Sequence, residues 1–425
     1  MTSLLPTSRR AARGGVLIVG GGFAGSYVAR RLGRAGATIV NPTNFMLYTP
    51  LLPEAASGAV EPRRVAVPIR TMCPDAELLV GSVRHIYADE RAALVETETG
   101  IVRVTYDEIV IALGALSRTP PAAVREHALE FKDLADAIAL RNHVLHQLDL
   151  ADADLDSAQR RLTFAFVGAG YAGVEALTEL HDLVRGAMRH YPRLRDVEPR
   201  WLLVDAGERV LAQAPERLGE YAERDLRSRG IDVRLGTRLE RVDAGGALLS
   251  DGTRFDTATL VWAAGVTANP LSETLGLPTD GSGRVVVDEY LRIEGMPHAW
   301  SLGDCATVPN TATPSALDPA TCQHALRQAK RLAGNLRGRA KPYGYRTLGQ
   351  VASLGHRRGI AQIPGMRLRG YAGWIVTRGY HLLQLPSVTR RSRVMTDWLT
   401  AALFRRDIAE LSALNAVGAT EVHRG

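Results

Sequence analysis

Apolar positions along this chain recur in two ways, as short unbroken runs and at helical spacing, and the change from one to the other marks its elements. Val16–Val19 is an apolar run, GGGFAG follows it, the next turns read as an amphipathic helix ending at Gly36, and a second apolar run ends at Asn41. The pattern predicts strand, glycine turn, helix and strand. Tyr106 to Ala115, YDEIVIALGA, reads as a buried parallel strand closed by a small-residue turn. Phe164 to Glu175, FAFVGAGYAGVE, then repeats the opening theme, with Gly168 lying 148 residues beyond Gly20. Ala258 to Asn269, ATLVWAAGVTAN, repeats the later strand and turn, so the chain carries a weak internal duplication.

Between these repeats the patterning is less regular. PTNFMLYTPLLPEAASG is too proline-rich for a helix start and too apolar for an exposed loop, and is expected to run inward. Leu78 to Val104 alternates in short β-like runs and predicts a small antiparallel meander. Glu126 to Leu150 predicts a helix, and the polar ADADLDSAQRR after it a domain boundary. The divisions expected are a first nucleotide domain in two parts, 15–155 and 287–345, a second over 156–286, and a distinct region over 346–425. The fold class is α/β, with two Rossmann-like dinucleotide-binding domains and a C-terminal amphipathic segment.

Each glycine motif has a chemical reading. Gly20 permits the tight turn out of the strand, Gly22 lets backbone approach a pyrophosphate, and Gly25 lets helix and strand pack closely, with phosphates at the positive helix N-terminus. A lone GxGxxG also occurs as a loop in other α/β proteins; two, each between a strand and a helix, point to two dinucleotides. About twenty residues after the first glycine an acid is expected to hold a ribose diol, and Asn41 stands there instead, without the charge that repels a 2′-phosphate. The second motif has its acid in Asp205, which favours NADH over NADPH; Met188 to Arg200 reads as an insertion before it, and Arg209 leaves some tolerance for a phosphate.

Further on, AWSLGDCATVP puts Asp304 after a strand, suited to a sugar hydroxyl, and a helix from Ala320 carries Gln323, Arg327 and Gln328, the first two sharing one face. In the tail, Val394, Trp398 and Ala402, with Met395, Leu399 and Leu403 alongside, fall on one helix face, with arginines at its ends.

Composition narrows the partners. Of the net charge of +7, residues 346–425 carry +8 (12 Arg or Lys against 4 Asp or Glu) and the remainder −1 (40 against 41). With no nucleic-acid module, a basic tail rich in Trp and Leu fits an anionic membrane surface. No apolar run reaches the length of a membrane span and no apolar signal core precedes the first strand, so a cytoplasmic protein is expected. Cys73, Cys305 and Cys322 form no CxxC, and no metal site is written.

With VGGGFAG, YDEIVIALGA, VGAGYAGVE, VWAAGVTANP, LGDCA, CQHALRQA and the tail GYAGWIVTRGYHLL in place, nearly the whole chain resembles the type II NADH dehydrogenases, single-subunit NADH:quinone oxidoreductases among the two-dinucleotide flavoproteins. The resemblance implies that Gly20, Gly22, Phe23, Ala24 and Gly25 hold the FAD pyrophosphate, that Asn41 faces its ribose and Val83 its adenine, and that Ala112, Gly114, Gly303, Asp304 and Ala325 complete the site. It implies that Gly168, Gly170, Tyr171, Ala172, Gly173, Asp205, Ala264 and Gly265 hold NADH. Glu175 and Gln323 become the residues nearest the chemistry, with Glu175 contacting nicotinamide or quinone and Gln323 near the isoalloxazine. Cys322 and Arg327 depart from the family signature, which usually has Ala and Gln there. The expected activity is peripheral, on the cytoplasmic face of a membrane, in a respiratory chain; whether two chains pair is left open. The rivals are a soluble NAD(P)H diaphorase, a sulfide:quinone reductase using Cys305 and Cys322, and a non-catalytic nucleotide sensor.

Overall fold

The computed structural model describes residues 6–243, 246–313, 318–347 and 349–410. The chain divides into two compact units, residues 1–47, 66–116 and 266–347 forming one and 48–65, 117–265 and 348–425 the other. These divisions differ from the expected domain bounds. Helix Leu134–Ala153 buries Leu140, Val144, Leu145 and Leu148 within the second unit, so ADADLDSAQRR ends a helix there instead of joining domains.

In the first unit five parallel strands lie in the order Ala299–Ser301, Glu108–Ile111, Val16–Val19, Thr38–Asn41, Glu77–Val80. In the second the order is Ala128–Glu130, Thr259–Trp262, Thr163–Val167, Arg200–Val204, Ile231–Arg234, again all parallel. The glycine-motif strand is central in both, and its residues are buried on both faces, which is why these strands read as continuous apolar runs. The edge strand differs in origin: the first sheet recruits one from late in the chain and the second one from just before its own central strand.

Several local expectations change. Glu77–Val80 joins the main sheet, and the antiparallel meander is Ser82–Tyr87, Ala92–Thr97 and Gly100–Thr105, extended by a parallel strand Ser8–Ala11. The stretch judged too rich in proline for a helix start does hold one, Leu52–Ala56, because Pro53 lies in its first turn, where a missing N–H costs nothing. That helix is buried throughout, as its apolar character requires. The first motif helix is Phe23–Leu32, closed by a 3-10 turn Gly33–Ala35.

The C-terminal part of the second unit is a three-stranded antiparallel sheet, Gln350–Ser353, Gly359–Ile363 and Met366–Arg369, followed by helices Gly370–Gln384 and Val388–Leu403. The first helix lies directly on this sheet: a Cβ at Gly373 would sit 2.3 Å from the Gly359 carbonyl oxygen. The face expected on the second helix separates into two. Val394 is fully buried and the Trp398 indole N–H donates to Glu54, whereas Val388, Met395, Leu399 and Leu403 are 54–74% exposed and form their own row. No described helix is long and apolar enough to cross a membrane.

Candidate nucleotide sites and a buried carboxylate cluster

The two glycine turns are built alike. In the first, Gly20 has φ +109° and a Cβ there would lie 2.2 Å from the Ala112 carbonyl oxygen; in the second, Gly168 has φ +116° and the same atom would lie 2.3 Å from that of Ala263. Both turns donate their glycine N–H to the neighbouring strand, Gly20 to Val40 and Gly168 to Val204, each at 2.8 Å. At Gly25 and Gly173 a Cβ would fall 1.9 and 2.0 Å from the carbonyl oxygens of Gly20 and Gly168, so only glycine lets helix and turn approach this closely. Gly22 and Gly170 cap the two helices without any side-chain bond, and no atom lies within 4 Å of where their Cβ atoms would be. Each helix N-terminus therefore opens on free space at a glycine that carries no capping side chain, which suits a pyrophosphate.

Asn41 and Asp205 occupy the same place in the two turns. Gly21 donates its N–H to Asn41 Oδ1 at 2.8 Å, and Ala169 donates to Asp205 Oδ2 at 2.5 Å, with Gly207 on Oδ1 at 2.6 Å. The side-chain oxygen at the strand end thus first serves the protein, holding the turn. The Asp205 oxygens retain lone pairs for a diol. Arg209 is occupied, its guanidinium donating to the Ala214 carbonyl at 3.0 Å.

In the first unit three expected stretches converge. A Cβ on Gly303 would meet those of Ala24 at 3.0 Å and Ala325 at 4.0 Å, so the N-terminus of the first motif helix, the Gly303 turn and the start of helix Cys322–Asn335 come together. Gly303, Asp304, Ala325 and Gln328 line one small cleft. Gly114 keeps φ +68° beside open space, Ala112 is buried, and Val83 lies two residues beyond Gly81, whose N–H reaches the Asn41 carbonyl at 3.0 Å. Gln323 is half-buried at the second position of its helix. Arg327 projects from the exposed side, its guanidinium over the Tyr345 ring at 5.2 Å.

Gln328, read from the sequence only as a position on its helix, is tied to the Gly303 turn. Its Oε1 accepts the Gly303 N–H at 2.8 Å and its amide donates to Asp318 at 3.1 Å. Asp318 is in turn paired with His324 at 2.5 Å. Burial opposes the Asp318 charge, but bonds from His324, Asn310 and Tyr343 outweigh it and hold its carboxyl below the usual range.

In the second unit the Tyr171 hydroxyl is buried without a hydrogen-bond partner at the first position of the motif helix, an orphan suited to a ligand's polar group. One turn on, Glu175 is buried and accepts the Ser353 N–H at 2.8 Å. Burial, reinforced by the charges of Glu54 and Glu179, pushes its pKa up to about 8 despite that bond. Glu54 is likewise raised by burial, with Arg378 3.6 Å away, and the wholly buried Glu179 takes Arg406 at 2.8 Å and Ser57 at 2.9 Å. Sequence reasoning missed Glu54 and Glu179, which lie 125 positions apart and share no motif. On helix Gly370–Gln384, Trp374 Nε1, Arg378 Nε and His381 Nδ1 are also buried without partners. Ala172 and Gly173 start the motif helix, and Ala264 and Gly265 form the turn after Thr259–Trp262, with Gly265 at φ +90° beside open space.

None of the three cysteines is in a disulfide, and burial raises the Cys305 thiol pKa, which disfavours a nucleophilic thiolate.

A fold with two glycine cradles of this build defines a class of nucleotide-dependent oxidoreductases, and residues 14–329 match the pyridine nucleotide-disulphide oxidoreductase family, to which the chain belongs. It is 30% identical over 386 residues to a probable NADH dehydrogenase of Dictyostelium discoideum, covering 88% of this chain and 85% of that one. It is 29% identical over 429 residues to a type II NADH:quinone oxidoreductase of Mycobacterium tuberculosis, covering 94% and 90%. Among solved structures, NDH2 from Plasmodium falciparum in complex with NADH superposes with a TM-score of 0.85 over 93% of this chain and 99% of that one, at 17% identity, a likeness of fold.

Proposed function

We propose that this chain is an FAD-dependent NADH:quinone oxidoreductase that works at a membrane surface. The observation that carries the reading is the duplication of one phosphate-gripping turn, with an amide at its strand end in the first unit and a carboxylate in the second. The names of the relatives agree with it.

The helix N-terminus at Gly22, Phe23, Ala24 and Gly25 would hold the FAD pyrophosphate; Asn41 and Val83 would flank the adenosine half, and Ala112, Gly114, Gly303, Asp304, Gln323 and Ala325 the rest. Gly168, Gly170, Tyr171, Ala172 and Gly173 would hold NADH, with Asp205 on its ribose and Ala264 and Gly265 along its path. The flavin supplies hydride-accepting and electron-donating chemistry when bound. The protein's own part is to orient the two nucleotides and manage protons. A quinone takes up two protons with its two electrons, and Glu175, with a pKa near 8, keeps a proton at neutral pH that an ordinary carboxyl would have lost.

The exposed row Val388, Met395, Leu399 and Leu403, with Tyr371, Ile375 and Leu383 exposed on the preceding helix, supports seating in a lipid interface. The side proposed is the cytoplasmic face of the cell membrane. The test is NADH oxidation by the purified yellow protein with a short-chain quinone, run beside NADPH. Turnover with NADH and quinone is expected. Colourless protein, or flavin that NADH fails to bleach without oxygen, overturns the reading.

A further inference from the structure

A cavity of about 440 Å³ opens on the second unit where the end of helix Tyr171–Ala187 meets the residues following helix Val388–Leu403. Among the described residues it is lined by Arg185, Arg189, His190, His356, Arg405 and Arg406, with Asp182 the one acid. With both histidines neutral, four arginines against one aspartate give the lining a formal charge of +3. That aspartate is already committed, accepting from Arg229 at 2.9 Å and from the His356 N–H at 2.6 Å. The carbonyl end of the helix accounts for a cation or two in its last turns. It does not account for Arg405 and Arg406, which arrive from another part of the chain.

Three of the four guanidinium groups are held in position. Arg406 is anchored on Glu179 at 2.8 Å, Arg185 on Asp182 at 3.1 Å, and Arg189 on the Gly186 carbonyl at 2.6 Å. Phe404, 69% exposed, stands at the cavity's edge, and the exposed row Val388, Met395, Leu399, Leu403 leads to it. An apolar track ending in a cationic hollow matches a molecule with an acyl chain and an anionic headgroup.

We propose that this cavity is a binding site for the phosphate headgroup of an anionic membrane lipid, whose acyl chains lie against the exposed row of helix Val388–Leu403. The lining charge selects a headgroup of net negative charge over a zwitterionic one, whose ammonium would face the same arginines. The inference rests on the membrane seating proposed above and adds a discrete, lipid-selective site to it, in which Arg185 and Arg189 from outside the basic tail join Arg405 and Arg406 from within it.

The test is co-sedimentation of the full chain with phosphatidylcholine vesicles, with and without phosphatidylglycerol. Wild type is expected to prefer the anionic vesicles, and Arg185→Ser with Arg189→Ser to lose about tenfold of that preference. Arg367→Ser with Arg393→Ser removes the same charge from exposed positions outside the cavity and is expected to lose clearly less. Thermal melting of both double variants keeps misfolding distinguishable. Equal losses in the two variants would mean diffuse charge and would overturn the site. Binding to both vesicle types without preference sinks the cavity assignment alone, and binding to neither sinks the membrane seating itself.

Discussion

Ser353 donates its backbone N–H to Glu175 at 2.8 Å, a bond that favours the carboxylate, yet burial beside Glu54 and Glu179 leaves the proton on Glu175 up to about pH 8. The unfolded chain gives up that proton near the ordinary value of 4.5, so between the two the folded state binds one proton more and stability falls as pH rises. Glu175→Gln should flatten this fall by up to about 1.4 kcal/mol per pH unit, read as melting temperature across pH 5 to 9. The same variant should slow quinone reduction by one to two orders of magnitude, of the size general acid catalysis supplies, while reduction of the flavin by NADH is less affected. An unchanged quinone rate would remove Glu175 from the reaction.

Gln328 holds the Gly303 turn through one bond to its N–H. Gln328→Leu leaves that donor and Asp318 short of a partner, a loss of about 1–3 kcal/mol. Because Gly303 stands between Ala24 and Ala325, the loss should appear as weaker flavin retention, on the order of tenfold or more, measured as flavin absorbance per protein after gel filtration. Full retention of flavin would show that the turn does not depend on Gln328.

Asn41 holds its glycine turn with one amide oxygen where Asp205 uses both carboxylate oxygens, on the N–H groups of Ala169 and Gly207. Asp205→Asn should therefore give up one of these two bonds, at about 1–3 kcal/mol, together with the charge that disfavours a 2′-phosphate. The ratio of kcat/KM for NADPH to that for NADH should rise by roughly tenfold or more. A ratio that does not move would place nucleotide choice elsewhere.

Leu399 and Leu403 are 60% and 70% exposed, so Leu399→Asp with Leu403→Asp should leave the fold and flavin content intact. If the row is buried in lipid, each leucine contributes about 1.5–3 kcal/mol there, and the double variant should leave the membrane fraction by a factor of a hundred or more. A variant that stays with membranes, compared by salt-washed fractionation, would contradict the seating.

The repeated strand, glycine turn and helix were legible because their demands are local: a positive φ at Gly20 and Gly168 and backbone contact at Gly25 and Gly173 leave a mark at fixed spacing. Asn41 and Asp205 were legible as positions, though their bonds to Gly21 and Ala169 were not. Pro53 misled, because the same residue that breaks a helix interior is welcome in a first turn. The single face expected for helix Val388–Leu403 divided because periodicity locates neighbours on a helix but not what covers them; Glu54 covers Trp398, and the Leu399 row stays exposed.

By itself, then, the sequence determined the two nucleotide-gripping turns, the α/β class and the basic, amphipathic tail, all features written in short windows of chain. Only the tertiary structure decided that Gln328 holds Gly303, that Glu54, Glu175 and Glu179 share one buried environment, and that arginines from two distant helical regions line one cavity. Those relationships depend on burial and on contacts between residues tens to hundreds of positions apart, and desolvation, which sets the proton on Glu175, has no counterpart in the order of residues along a chain.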